Sequence, residues 1–336
     1  MVRQYLPPSP PGDGRAPAEP AGRSPAEGRG RASRGGDGYG RYTVPRRRAP
    51  RRTAGGAVVG VLGSLAAVFV IAILGMAMYG QEGRGATGEG GAPDGTASRS
   101  AATANKLYST GVLTPVACRA PRIAPGSDES MRRFMNVLAG CLDVSWQRQF
   151  TKGDLRFTPP ERVFWSEPGR SPCGSYPQSG AAAFYCPANN SMYVGLAHVV
   201  ETAGDEPVSN YAVYARVITH EYSHHVQEQA GILAYGHRLL GRRSATGRTD
   251  ASRRIELQAQ CLAGVFLGAE RSSLPMTARQ YVAMMNDVRG RGDDDQPPDE
   301  RDHGSSLHYA GWVEKGFRNR VLSACNTWTA PASAVS

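Results

Sequence analysis

All six cysteines of the chain lie after residue 117, and none lies in the first third. An even number of cysteines confined to one segment indicates disulfide bonds made in an oxidising compartment, although six reduced, buried thiols would give the same pattern. The chain has 336 residues, enough for one or two domains. The cysteine distribution therefore favours a fold in the later part of the chain, and we expect the domain to cover residues 106–330.

The first 53 residues are expected to be disordered, because they are rich in proline, glycine, arginine and alanine and hold too few apolar residues to form a core. Twelve arginines against four acidic residues give this tail a charge of +8, out of +10 for the whole chain. The basic character thus belongs to a tail and not to a folded surface. No nucleic-acid-binding module is recognisable, and we expect no nucleic-acid partner.

Residues 54–80 form a run of 27 residues without a charge. At about 1.5 Å per residue, a helix of this length crosses a hydrocarbon core of about 30 Å, which predicts one transmembrane helix. Five arginines crowd its N-terminal side, whereas the other side carries Glu82 and Arg84, so the positive-inside rule places the tail in the cytoplasm. A buried core helix is the alternative, but neither flanking segment offers it a packing partner.

These segments predict the organisation of the chain. Residues 1–53 are a disordered basic cytoplasmic tail, residues 54–80 the transmembrane helix and residues 81–105 a flexible linker. Residues 106–330 form an extracytoplasmic domain. The expected location is therefore the cell membrane, with a single pass, a cytoplasmic N-terminus and membrane lipid as one partner.

Within residues 106–330, apolar spacing predicts helices around a small sheet, an α+β fold. Helices are predicted at 127–150, 211–230, 249–268 and 305–325. Short strands are predicted within 156–167 and 181–199, the second segment holding two strands joined by "PANN".

The stretch "VITHEYSHHVQ" carries His220 and His224 four residues apart, with Glu221 after the first. On a helix, positions i and i+4 share a face about 5–6 Å apart, so both rings can bind one Zn²⁺. Glu221, about 100° round the helix, can reach a metal-bound water and act as its general base. Three polar residues on a solvated helix face are the alternative, but the preceding apolar run favours a buried helix.

A third ligand is needed, and Glu256 in "RRIELQAQCLAG" is the candidate. It lies on a predicted helix that could pack against the first one. The alternative interpretation is that Glu256 is an ordinary surface glutamate. Of the other histidines, His225 is expected to point off the metal face, and three are interpreted as structural: His198, His237 and His308.

Several segments, in this order, resemble the putative neutral zinc metallopeptidase family of bacterial membrane-anchored proteins. "PCGSYPQSGAAAFYCPANNSMYV" is similar to that family's C-G…FYCP segment, and "HEYSHHVQ" to its H-E-x-x-H-H-V-Q. "IELQAQCLAGVF" is similar to its E-L-Q-A-D-C-x-A-G-x-[WF], and "DHGSS", "GWVEKGF" and "ACNTW" follow. The resemblance covers residues 106–330.

The resemblance implies a zincin-like helical domain with Zn²⁺ held by His220, His224 and Glu256 and with Glu221 as general base. It also implies a catalytic role for His303 in "HGSS", where a histidine donor could stabilise an oxyanion. A helix-capping or structural role for His303 stays open.

One position departs from the family pattern, since Gln260 stands where the family has aspartate. The resemblance implies that this aspartate accepts a hydrogen bond from a ligand histidine. Loss of such a partner costs about 10- to 100-fold in metal affinity or activity. A glutamine carbonyl can accept the same bond without charge, so we expect zinc binding to survive in weakened form.

Local spacing and the resemblance together favour three disulfide pairs: Cys118–Cys141, Cys173–Cys186 and Cys261–Cys325. Cys261 as a metal thiolate is the alternative for that residue.

The leading hypothesis is a membrane-anchored, zinc-dependent peptidase that hydrolyses peptide or protein substrates through a metal-bound water, with Glu221 as general base. A strand near Tyr193 is expected to align an extended substrate by edge pairing. The alternative function is a non-catalytic extracytoplasmic binding or structural module with weakened zinc binding, which Gln260 favours.

Overall fold

The structure of the protein is a computed structural model that describes residues 98–177, 181–242 and 244–336. The predicted tail at 1–53 and the predicted transmembrane helix at 54–80 lie outside the described residues, as does most of the predicted linker.

The described residues form an α+β fold, as the sequence predicts. The helices are α1 (Arg99–Thr103), α2 (Asp128–Lys152), α3 (His198–Thr202), α4 (Ala212–Gln229), α5 (Ile232–Arg242), α6 (Ala245–Ala269), α7 (Ala278–Arg289) and α8 (Ser306–Asn319). The strands are β1 (Glu161–Trp165), β2 (Gly169–Ser171), β3 (Gly174–Tyr176), β4 (Ala183–Cys186) and β5 (Ser191–Gly195). Helix α1 lies in the segment that the sequence assigns to the linker, and its Ala102 is buried.

The predictions of a transmembrane helix and of a single-pass location in the cell membrane are corrected. Among the described residues, no helix is both long enough and apolar enough to cross a membrane. The longest helices, α2 and α6, have 25 residues each but carry charged side chains, whereas a spanning helix needs about 20 predominantly apolar residues. The two predictions find no support in this structure and are withdrawn.

The larger sheet has the strand order β1-β5-β4, with β1 parallel and β4 antiparallel to β5. Strand β5, which contains Tyr193, is buried along its length and hydrogen-bonded on both sides. The expectation that this strand pairs with a substrate is therefore wrong, because a central strand has no free backbone edge. Within the described residues, β4 is an edge strand of this sheet.

The three predicted disulfides are confirmed: Cys118–Cys141, Cys173–Cys186 and Cys261–Cys325. All six cysteines are therefore paired, and Cys261 cannot serve as a metal thiolate. The third disulfide joins α6 to the segment after α8, across a sequence separation of 64 residues.

Helices α6 and α8 pack with their backbones in direct contact, because glycines face each other at the crossing. A Cβ atom added to Gly316 would lie 1.9 Å from the carbonyl oxygen of Cys261, and one added to Gly264 would lie 2.2 Å from that of Val313. Any larger residue must push the helices apart. This contact, together with the disulfide, sets the position of α6.

We predict that Gly316→Ala lowers the free energy of unfolding by about 1–3 kcal/mol or more, since the two helices must separate. Gly311→Ala on the same helix is the matched control, because its Cβ would meet nothing within 4 Å. Removing a flexible residue from an exposed helical position should stabilise the fold by about 0.5–1 kcal/mol. Denaturant unfolding of both variants gives the comparison, and equal effects would contradict the backbone contact.

Candidate metal centre

Helix α4 carries the H-E-x-x-H stretch through the core of the domain. Its residues from Ala212 to Ser223 are buried, so the helix is covered on nearly every side. The helix ends before Gly231, whose φ of +72° suits a helix C-terminus. The sequence predicted a buried helix from the apolar run before His220, and the polar residues that follow this run are indeed buried.

The structure brings together the three residues predicted as ligands. His220 Nε2 lies 3.2 Å from Glu256 Oε2, and His224 Nε2 lies 3.6 Å from Glu256 Oε1. The two Nε2 atoms lie 3.2 Å from each other. Helix α4 supplies both imidazoles and α6 the carboxylate, which is buried.

These distances fit a tetrahedral zinc site. Two atoms bound at about 2.0–2.1 Å in tetrahedral geometry lie about 3.3 Å apart. One ligand atom from each of the three residues lies within 4.8 Å of the others. Two imidazoles and one carboxylate are also a donor set that catalytic zinc sites use, with the fourth position left open.

The pKa values within the cluster are pushed in opposite directions. Burial lowers the pKa of His220 to about 4. Burial also acts against the charged form of His224, but the Glu256 carboxylate outweighs it and raises the pKa of His224 to about 9. Burial opposes ionisation of Glu256 as well, yet charged His224 holds its pKa well below the ordinary value. Without a metal ion, a proton on His224 therefore balances the carboxylate.

Glu221 is buried beside this cluster, on the side of strand β4. Burial raises the pKa of Glu221 to about 7, while the charge on His224 and the backbone N–H of Tyr185 act to lower it. A carboxyl group that titrates near neutral pH can both accept and return a proton.

His303 lies next to the cluster but does not complete it. Its Nε2 is 4.0 Å from Glu256 Oε2, and its Nδ1 is 2.6 Å from Asp302 Oδ1 and 3.7 Å from Asp293 Oδ2. Burial disfavours the imidazolium, but the two aspartates raise the pKa of His303 well above its usual value. This shift of the pKa favours the charged form of a histidine beside the three candidate ligands.

Gln260 does not make the hydrogen bond expected of it. Both atoms of its side-chain amide are buried without a hydrogen-bond partner, and so is Nδ1 of His220. The other ring is held differently, because His224 Nδ1 lies 3.0 Å from Gln227 Oε1. Sequence reasoning missed Gln227, although its position three residues after His224 puts both on one face of the helix.

Further residues around the cluster were also missed. Asp302 and Asp293 escaped notice because acidic residues in a glycine- and proline-rich stretch are typical of solvated loops. Arg216, one turn before His220, pairs with Asp287 at 2.8 Å in a buried contact. Its partner lies on α7, a helix that the sequence did not predict.

His225 points away from the three candidate ligands, as the sequence predicts. Its Nδ1 lies 3.0 Å from the hydroxyl of Tyr185 and its Nε2 lies 2.7 Å from the carbonyl oxygen of Thr158. Both ring nitrogens are therefore engaged away from the cluster.

Comparison with known proteins gives a consistent picture. A family model described as "Putative neutral zinc metallopeptidase" matches residues 31–328 of the chain. The Escherichia coli K12 protein named "Uncharacterized protein YpfJ" is 28% identical over 214 residues, which cover 61% of this chain and 74% of YpfJ. "Uncharacterized protein Rv2575" of Mycobacterium tuberculosis H37Rv is 26% identical over 243 residues, covering 62% of this chain and 78% of that protein. No solved structure matches the chain.

We predict that Asp302→Asn lowers the pKa of His303 toward that of an ordinary histidine, because it removes the charge 2.6 Å from Nδ1. Asp294→Asn is the control, since among the hydrogen bonds of the described residues the carboxylate of Asp294 accepts only from the backbone N–H of Ser306. NMR titration of the histidine side chains measures both variants. An unchanged midpoint for His303 in Asp302→Asn would contradict the pairing.

Proposed function

Because the chain belongs to the putative neutral zinc metallopeptidase family, we propose that it is a zinc-dependent peptidase whose metal is held by His220, His224 and Glu256. One observation carries the proposal. Three side chains from two helices converge within 3.2–3.6 Å in the core, with spacing and chemistry that suit zinc. A buried carboxylate facing two imidazoles is costly unless a cation or a proton compensates it.

Zinc, when bound, supplies Lewis-acid activation of the scissile carbonyl and of the attacking water. Glu221 moves the proton: its carboxylate takes one from the attacking water and gives it to the leaving amine nitrogen. Its near-neutral pKa in the metal-free state and its place next to His220 in the chain support this role.

His303 stabilises the negative charge that develops on the carbonyl oxygen. Asp302 engages Nδ1, so the N–H at Nε2 is the donor left on the side of Glu256. A preorganised cationic donor in a buried site interacts more strongly with developing charge than one in water. Asp302 and Asp293 keep the ring charged and oriented, as positioning residues.

The substrate is a peptide or protein, which the family description supports. Strand β4 is an edge strand of the described sheet, and the backbone of Tyr185 within it contacts Glu221. An extended peptide that pairs with this edge would pass beside the general base. This strand therefore takes the aligning role that the sequence assigned to the strand of Tyr193.

A second candidate function is a non-catalytic binding or structural module that holds zinc weakly. The observation that favours it is the pair of unpartnered groups, Gln260 and Nδ1 of His220, since an unoriented ligand ring binds metal less well.

We predict that Glu221→Gln of the full chain retains bound zinc but loses peptide hydrolysis by about 10²- to 10⁴-fold. Glu228→Gln is the matched control, because it makes the same change on the same helix outside the cluster. Bound metal is measured by elemental analysis and turnover with a peptide library. Stoichiometric zinc with no turnover that depends on Glu221 would favour the module, and a chain with neither would overturn the peptidase proposal.

We also predict that the apparent zinc affinity rises with pH. His224 must lose the proton on Nε2 before that nitrogen can bind a metal, and its pKa in the metal-free state is about 9. Between about pH 6 and pH 8 the protonated form dominates, so affinity should gain about tenfold per pH unit. Competition with a chelator of known pH dependence measures this, and a flat profile would be inconsistent with a proton held on His224.

A further inference from the structure

A line of buried side-chain amides runs from His224 to the C-terminal segment. Gln227 Oε1 lies 3.0 Å from His224 Nδ1. The Nε2 atom of the same glutamine donates to the carbonyl oxygen of Ile255 at 2.9 Å and to Gln258 Oε1 at 2.9 Å. Both glutamines are fully buried, so no solvent competes for these bonds. The contacts join α4 to α6 directly behind the candidate ligands.

The far end of the line is anchored by groups with fixed hydrogen-bonding roles. Gln258 Nε2 donates to the carbonyl oxygen of Cys325 at 3.1 Å and to the hydroxyl of Tyr108 at 2.7 Å. Gln258 Oε1 accepts from Trp328 Nε1 at 3.3 Å. A backbone carbonyl can only accept and an indole N–H can only donate. The amide of Gln258 therefore has one permitted orientation.

That orientation determines the next two links. Since Gln258 presents its oxygen to Gln227, the facing atom of Gln227 must be its NH₂ group, which the carbonyl of Ile255 also requires. The atom of the Gln227 side chain that faces His224 must therefore be its carbonyl oxygen. A carbonyl oxygen accepts, so His224 must donate from a protonated Nδ1. The remaining ring nitrogen, Nε2, then faces His220 and Glu256.

We propose that Gln227 and Gln258 are positioning residues that fix the ring and tautomer of His224, so that Nε2 carries the lone pair for the metal. The proposal rests on the proposed function in taking His224 as a zinc ligand. It also explains an asymmetry of the site. His224 has an oriented partner, whereas Nδ1 of His220 has none. Partners of this kind orient the ligand ring and raise its basicity.

The test compares zinc affinities of the full chain by chelator competition. Gln227→Met keeps the size of the side chain but removes the acceptor, and should weaken zinc binding about 10- to 100-fold. Gln149→Met is the matched control. Gln149 is equally buried and donates to Thr110 Oγ1 at 2.6 Å, away from the cluster. It should lose comparable stability and keep the affinity of the unmodified chain.

A conservative variant separates positioning from a merely structural role. Gln227→Glu still offers His224 an acceptor, but it loses the donors to Ile255 and Gln258. A structural role predicts that it is worse than Gln227→Met, because a buried carboxylate then faces two carbonyl oxygens. A positioning role predicts the opposite order for zinc affinity, with Gln227→Glu recovering most of the loss.

A spectroscopic readout completes the test. In the zinc-loaded chain with ¹⁵N-labelled histidine, the Nδ1–H of His224 should be protected from solvent exchange, and Gln227→Met should abolish that protection. If the unmodified chain binds no zinc, the proposed function fails and this role falls with it. If it binds zinc and Gln227→Met binds as tightly as Gln149→Met, only the positioning role is overturned.

Discussion

The meeting of one carboxylate from α6 with two imidazoles from α4 is the interaction on which the structure depends. A buried carboxylate without a partner would be strongly destabilising. Glu256 is buried against the imidazoles of His220 and His224, where a shared cation or proton balances its negative charge. Much of the surrounding fold keeps the two helices at this separation. The disulfide at Cys261 and the glycine contact with α8 hold α6 from behind, and burial of α4 on nearly every side holds its partner.

The local environment gives three titratable groups that lie close together very different pKa values. Glu256 and Glu221 are both buried carboxylates, yet neighbouring histidines keep the pKa of the first far down while burial brings that of the second to about 7. His303 is a third case, because two aspartates hold it in the charged form. Groups whose pKa values are pushed apart in this way are suited to separate roles, here the metal binding, proton transfer and charge stabilisation proposed for them.

The parts of this site that are local in sequence could be predicted, and the parts that depend on topology could not. The spacing of His220, Glu221 and His224 sets their geometry within one helix, so a helix prediction suffices. Glu256 needed the packing of a second helix, and the resemblance to a family supplied what spacing could not. Local spacing and the same resemblance predicted the three disulfides, which are confirmed. The segment 181–199 indicates two short strands but not which of them lies at the centre or the edge of the sheet, which only the pairing partners decide. The hydrogen-bonded line from His224 to Trp328 joins residues far apart in the chain, so no local sequence pattern predicts it.

Cys325 takes part in both a disulfide bond and the line of buried amides. Its sulfur is tied to α6 by the disulfide, and its carbonyl oxygen is one of the two groups that dictate the orientation of Gln258. Reduction of that bond would remove a covalent tie that keeps this carbonyl oxygen close to Gln258, and Gln258 is joined through Gln227 to the imidazole of His224. The arrangement couples the oxidation of this cysteine pair to the orientation of the two amides that reach His224.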